Sequence, residues 1–153
     1  MTRDPTADAD GPGVEHARAA ARLAKVVEVA VGEVDLTLPQ YRMLAHLAEG
    51  SGGASALAGT LAVSRPSITA LADGLVARGL VERCAHAGDR RRVDHLLTAD
   101  GRTALAAGDE AVERRLADLV VHLPVPQRRR ALDGLARWLS ALDAARAARL
   151  ARR

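Results

Sequence analysis

Apolar residues fall at helical spacing over most of the chain, and one short central stretch alternates instead. Val14, Ala17, Ala21, Ala24, Val27 or Val31, and Val34 recur at three- and four-residue steps and predict an N-terminal helix. In "LTLPQYRMLAHLAEG" Thr37 is the expected N-cap, with Gln40 three residues on and Leu36 and Tyr41 placed as a hydrophobic staple. Pro39 falls in the first turn, where its missing N–H removes only an orphan donor. This helix is expected to stop at "GSGG", after which Ser55 caps a short helix over "ALAGTLAV". Ser64 opens the next helix, in which Ile68, Leu71, Ala72, Leu75 and Val76 form one apolar stripe. Val63 with Ile68 offers a second staple, and Gly79 stands where a C′ glycine belongs.

"LVERCA" and "RVDHLL" alternate in part around a Gly-Asp turn and read as a β-hairpin. Thr98 then starts a helix carrying Leu105, Val112, Leu116, Leu119 and Leu123, with Asp100 at its positive end. "LPVP" breaks it. A last helix places Leu132, Leu135, Leu139 and Leu142 at alternating steps of three and four, a coiled-coil-like seam. The expected fold is therefore mainly α with a small β-hairpin: four helices, the hairpin, and two further helices.

Composition narrows the class of function. At 153 residues the chain suits one domain with a helical extension, large enough to bury a core without disulfides or metal. Cys84 is the only cysteine, which excludes an internal disulfide and fits a reducing, cytoplasmic setting. Residues 1–13 hold Pro, Gly and Asp without periodicity and read as a disordered tail, with no hydrophobic signal segment. No apolar run reaches membrane-spanning length, so no membrane partner is expected. The net charge of +3 names no partner by itself. Lys25 is the sole lysine, and arginine-for-lysine bias beside abundant Ala, Gly, Val and Leu matches GC-rich codons, so only position is informative. Arginines cluster at 90–92, 128–130 and the C-terminus. The absence of Phe, with only Tyr41 and Trp138 as aromatics, argues against a base-stacking platform for single strands.

Two short helices joined by a tight turn and followed by a two-stranded wing make a winged helix-turn-helix. The second helix of such a pair enters the DNA major groove with its N-terminal residues leading, here Ser64, Arg65, Pro66, Ser67, Thr69 and Ala70. Arg65 suits guanine O6 and N7, and the hydroxyls of Ser67 and Thr69 suit bases or phosphates. The same residue types are also ordinary capping chemistry. What adds to the helix is the downstream hairpin tip, "AHAGDRRRVDH", with three adjacent arginines. A narrow minor groove attracts an inserted arginine, and strand alternation turns Arg90 and Arg92 away from Arg91, toward phosphates.

"LTLPQYRML", "LAVSRPSITALADGLVARGLVER", "GDRRRV" and "LTADGR" resemble, in order, successive blocks of the MarR family of winged helix-turn-helix transcription regulators. The resemblance is strong over residues 36–102. It implies a homodimer with an N-terminal dimerisation helix over 14–36, a DNA-binding domain over 37–98 and C-terminal dimerisation helices over 99–153. It implies a regulator, most simply a repressor, that binds a pseudo-palindromic double-stranded operator and is released by a small-molecule effector, without a cofactor. An Asp-x-Arg element of the family's wing matches Asp89, which would brace the turn, and Arg91, which would enter the minor groove. Many relatives carry a basic residue where Ala70 stands, which shifts base readout here toward Arg65 and the hydroxyls. Tyr41 and His46 fall near the family's effector cleft, although Tyr41 as a core staple is the plainer role.

Other readings compete at a few residues. Cys84, His86 and His95 share the hairpin and form a zinc-like set, but a fourth ligand is missing and no metal is expected. A redox-responsive regulator would use Cys84 as a thiolate favoured by nearby arginines, against the plain role of a half-buried strand cysteine. The peroxide-sensing branch of the family carries its cysteine near the N-terminal helix, and none is there. The runner-up to the DNA-binding reading is a winged-helix dimerisation module without DNA binding, and the Cys84 redox sensor is the third. Trp138 reads as dimer packing, Asp73 as a brace for a neighbouring arginine, and Arg128, Arg129 and Arg130 as solvated surface. No nucleophile–base pair, phosphate-cradling loop or close carboxylate pair stands in a context that supports an enzyme.

Overall fold

The computed structural model describes residues 11–50, 52–53, 64–86 and 88–152. Helix α1 (Val14–Gly32) leads into α2 (Leu38–Ala48), and a two-residue strand β1 (Gly52–Gly53) follows. Helix α3 (Arg65–Ala77) precedes the hairpin of β2 (Val81–His86) and β3 (Asp89–Leu97), and α4 (Ala99–Val120) and α5 (Val125–Ala151) complete the chain. The helix expected over "ALAGTLAV", with its Ser55 cap and the Val63 staple partner, lies outside the described residues, as does most of the expected N-terminal tail.

Local chemistry starts the helices where the sequence indicates. Thr37 and Gln40 form a reciprocal capping box, with Gln40 Oε1 accepting from the Thr37 N–H at 2.9 Å and Thr37 Oγ1 from the Gln40 N–H at 3.4 Å. Ser64 caps α3 and Thr98 caps α4 with a side-chain oxygen that accepts from the N–H of Ser67 and of Gly101. Helix α3 ends in a glycine-dependent turn: Gly79 adopts φ +70°, and the Leu80 N–H returns to the Leu75 carbonyl at 3.0 Å.

The sheet holds one strand more than the expected hairpin, in the order β1-β3-β2 and antiparallel throughout. Gly52 and Gly53 pair with His95 and Asp94, so the segment read as a helix stop also covers the outer edge of β3. Val31, Leu36, Met43, Leu44, Ile68, Leu75, Val81 and Leu97 meet in one core beneath α2, α3 and the hairpin. Long-range packing of α4 runs along α1 and α2, and Arg115 of α4 pairs with Glu33 at the end of α1.

Small residues let α4 come close. A Cβ on Gly101 would stand 2.0 Å from the Leu80 carbonyl oxygen, so only glycine fits this contact. Gly108 faces the Tyr41 ring and Leu36, which puts the expected staple pair against α4.

Two regions keep their apolar faces in water. The N-terminal half of α1 is exposed, including Val14, so the periodicity there has no cover within one chain. On α5 the whole seam of Leu132, Leu135, Leu139 and Leu142 is exposed, together with Trp138. Helix α5 is tied at both ends by arginine. Arg128, read from sequence as solvated surface, instead donates to the carbonyls of Leu123 (3.0 Å) and Val121 (2.9 Å). It lies at the start of α5, the wrong end for a cation, but its guanidinium reaches the C-terminal end of α4, where a positive charge is favoured. Arg129 pairs with Asp133 in the surface manner expected of it.

Candidate nucleic-acid interface

The recognition face is built by burying one side of α3. Ile68, Ala72 and Leu75 are sealed in the core, which leaves Pro66, Ser67, Thr69, Ala70 and Asp73 on the opposite, exposed side. Helical spacing therefore decides which residues can meet a groove. Ser64 Oγ accepts from the Ser67 N–H at 3.3 Å and lies 2.8 Å from Ser67 Oγ. Both serines take part in the cap, and each keeps hydrogen-bonding capacity toward solvent. Arg65 occupies the first position of the helix, its side chain being outside the described atoms.

Asp73 is held by Arg83 of β2, in agreement with its expected bracing role. The pair neutralises an acid on the exposed face of α3 and fastens that helix to the wing. Behind it, Arg78 Nη1 donates to the Asp35 carbonyl at 2.8 Å, tying the C-terminal end of α3 to the α1–α2 turn.

The hairpin tip departs from a regular ladder. Val81 to Ala85 pair in sequence with Leu97 to Val93, but His86 pairs with Asp89. Adjacent residues Ala85 and His86 on β2 thus face positions four apart on β3, and Arg90, Arg91 and Arg92 have no counterpart across the ladder. The register break falls at the three arginine positions. The side chains of Asp89 and Arg90–Arg92 lie outside the described atoms. Gly88 at the tip donates to His86 Nδ1 at 3.0 Å.

The remaining hairpin residues have structural surroundings. Cys84 is half-buried and pairs with Asp94, while His86 Nε2 stands 4.0 Å from Asp94 Oδ2. His95 points inward and is buried, whereas Cys84 and His86 occupy other surroundings. Among the described residues no group of three His, Cys, Asp or Glu side chains converges to hold a metal.

Tyr41 and His46 of α2 turn to different helices. Tyr41 donates its hydroxyl to Asp109 of α4 at 2.6 Å. Burial first, then that bond and the charges of Asp109 and Glu113, push its pKa well above the ordinary phenol value. His46 faces α5, where Arg146 Nη2 lies 3.5 Å from its Nε2 and Arg146 Nη1 donates to Glu49 at 3.0 Å. A cleft of about 280 Å³ opens beside this contact, lined by Glu49, Asp143, Arg146 and Ala147. Sequence reasoning missed Glu49, Asp109 and Arg146, because each acts across a helix–helix contact that no local pattern encodes.

Comparison with known proteins agrees with this geometry. A family model described as "MarR family" matches residues 34–92, the stretch from the turn after α1 through the three arginines. Over those residues the chain is similar to the MarR family. Among solved structures, the MarR-like fold recurs in RV1404 from Mycobacterium tuberculosis, at 26% identity and a TM-score of 0.71 over 81% of this chain and 86% of that one. CouR, a transcriptional repressor solved on a 23-mer DNA duplex, matches at 28% identity and a TM-score of 0.66, over 91% of this chain and 99% of its own. Wild-type MarR from E. coli in its apo form shares the fold at 19% identity, with a TM-score of 0.72 over 85% of this chain and 98% of that one. No curated protein matches the chain by sequence. Among the described residues no helix is long and apolar enough to cross a membrane.

Proposed function

We propose that the chain is a homodimeric MarR-type repressor that binds a pseudo-palindromic operator and is released by a small effector. One observation carries the reading: the exposed N-terminal face of α3 is fastened by Asp73–Arg83 to a wing whose arginines stand in a register break. Ser64, Arg65, Pro66, Ser67, Thr69 and Ala70 face the major groove in this reading. Arg91 enters the minor groove, Arg90 and Arg92 meet phosphates, and Asp89 braces the turn. The DNA-bound state of CouR supports the assignment by likeness.

The bare apolar face of α5 supports a dimer, because an exposed patch of this size and continuity marks an interaction surface. Two-fold symmetry sets half-sites about 10–10.5 bp apart. The effector enters between the winged-helix lobe and the terminal helices, on the side of Tyr41 and His46.

Fluorescence polarisation on the DNA immediately upstream of the gene tests the assignment, repeated with candidate phenolic ligands and oxidants. Arg91→Ala is expected to cost about 1–3 kcal/mol of operator affinity. Raising salt should weaken binding steeply. An unchanged titration for Arg91→Ala removes the wing from the interface. Release by oxidant in wild type but not in Cys84→Ser would instead assign the input to the cysteine.

A further inference from the structure

The contact between α2 and α5 contains a titratable group with an unusual environment. The His46 side chain is only 9% exposed, and its Nδ1 has no hydrogen-bond partner. Its Nε2 faces the guanidinium of Arg146, which offers only donors, so Nε2 is the acceptor and the ring proton resides on Nδ1. Nδ1 lies 3.8 Å from Glu49 Oε2, too far for a hydrogen bond, and the same oxygen is committed to Arg146 at 3.0 Å. Asp143 of α5 lines the adjoining cleft with Glu49 and Arg146. The neutral ring thus completes the seat of Arg146, while one of its own nitrogens goes unserved.

We propose that His46, Glu49 and Arg146 form a pH-sensitive latch that holds the C-terminal end of α5 against the winged-helix lobe and opens when His46 is protonated. A proton taken up at Nε2 removes the acceptor facing Arg146 and sets two cations 3.5 Å apart with Glu49 as their shared counter-ion. Glu49 can then serve the Nδ1–H it now only approaches, and Arg146 loses its seat. Burial, and secondarily the charge of Arg146, lower the His46 pKa from its ordinary value, and Glu49 only partly opposes them. For a group lowered in the folded state, the stabilising contribution is full above the unfolded value and is lost as pH falls through the lowered one. The latch therefore opens on the acid side. Nothing in this inference depends on DNA binding.

Hydrogen exchange on the full-length protein, corrected for intrinsic rates, reads the latch through the segment 143–151. Between about pH 7.5 and about pH 5.5, wild type should lose protection there by roughly fivefold or more, while the core of α3 stays protected. His46→Gln, which cannot gain the charge, should show no such pH response. Arg146→Gln should exchange fast in this segment at both pH values in a lobe that still unfolds like wild type, and it remains informative if His46→Gln does not fold. A pH response retained in His46→Gln, or wild-type protection retained in Arg146→Gln, would overturn the proposal.

Discussion

In the winged-helix lobe Met43, Leu44, Ile68 and Leu75 have no surface left in water. On α5, Trp138, Leu139 and Leu142 keep 65%, 61% and 60% of theirs. Both regions use leucines at helical spacing, so periodicity alone does not tell a finished core from an unfinished one. The difference lies in what each helix packs against. Helix α3 is closed by α2 and the hairpin, with its polar ends capped from within the chain. Helix α5 is tied to the body by Arg128 at one end and Arg146 at the other, and its seam faces outward. Among the described residues the apolar face of α3 is closed within the chain, and the apolar seam of α5 is left open.

The contrast can be broken most forcefully in the lobe. Leu75→Ala should cost about 2–5 kcal/mol in denaturant unfolding, because a sealed side chain leaves a cavity. The loss should not depend on protein concentration. Leu139→Asp should act in the opposite way, weakening self-association by about tenfold or more, or roughly 1.4 kcal/mol, in sedimentation experiments. The lobe should remain folded in that variant. If Leu139→Asp instead melted the lobe and left association intact, the comparison between the two regions would be wrong.

A smaller effect lies at the joint of lobe and helix. Tyr41→Phe removes the hydroxyl that bonds Asp109 and should cost about 1 kcal/mol. The raised pKa of Tyr41 fixes the sign of its pH dependence. Its contribution is full below the ordinary phenol value and is lost as pH rises through the raised one. Alkaline melting should therefore fall less steeply in Tyr41→Phe than in wild type, and parallel curves would show that the bond contributes nothing.

Legibility in the sequence followed the range of the interaction. The capping box of Thr37 and Gln40, the C′ glycine at position 79 and the stripe on α3 depend on neighbours three to five residues away, and all were readable. Strand β1 was not, because two glycines carry no side-chain pattern and the strand exists only through its pairing with β3. The register break was hidden for a related reason. "GDRRRV" reads as a continuous strand until its partner shows that three positions have no counterpart. Arg128 was misread because its position in sequence belongs to one helix and its guanidinium to another. At the candidate interface, the exposed positions of α3 followed from helical period, whereas the Arg83 brace needed the fold to select one arginine among several.

The junction at Thr98 has a mechanical consequence. Its hydroxyl donates to the Gly79 carbonyl at 2.7 Å, its N–H to the Leu80 carbonyl at 3.2 Å, and Gly101 packs directly on that second carbonyl. The end of α3 and the start of α4 therefore meet in an elbow without slack. A helix of 22 residues is a lever roughly 33 Å long, so a tilt of about 5° at this joint displaces its far end by roughly 3 Å. Read in reverse, a shift of a few ångströms where α4 ends would be transmitted through this elbow to the end of α3.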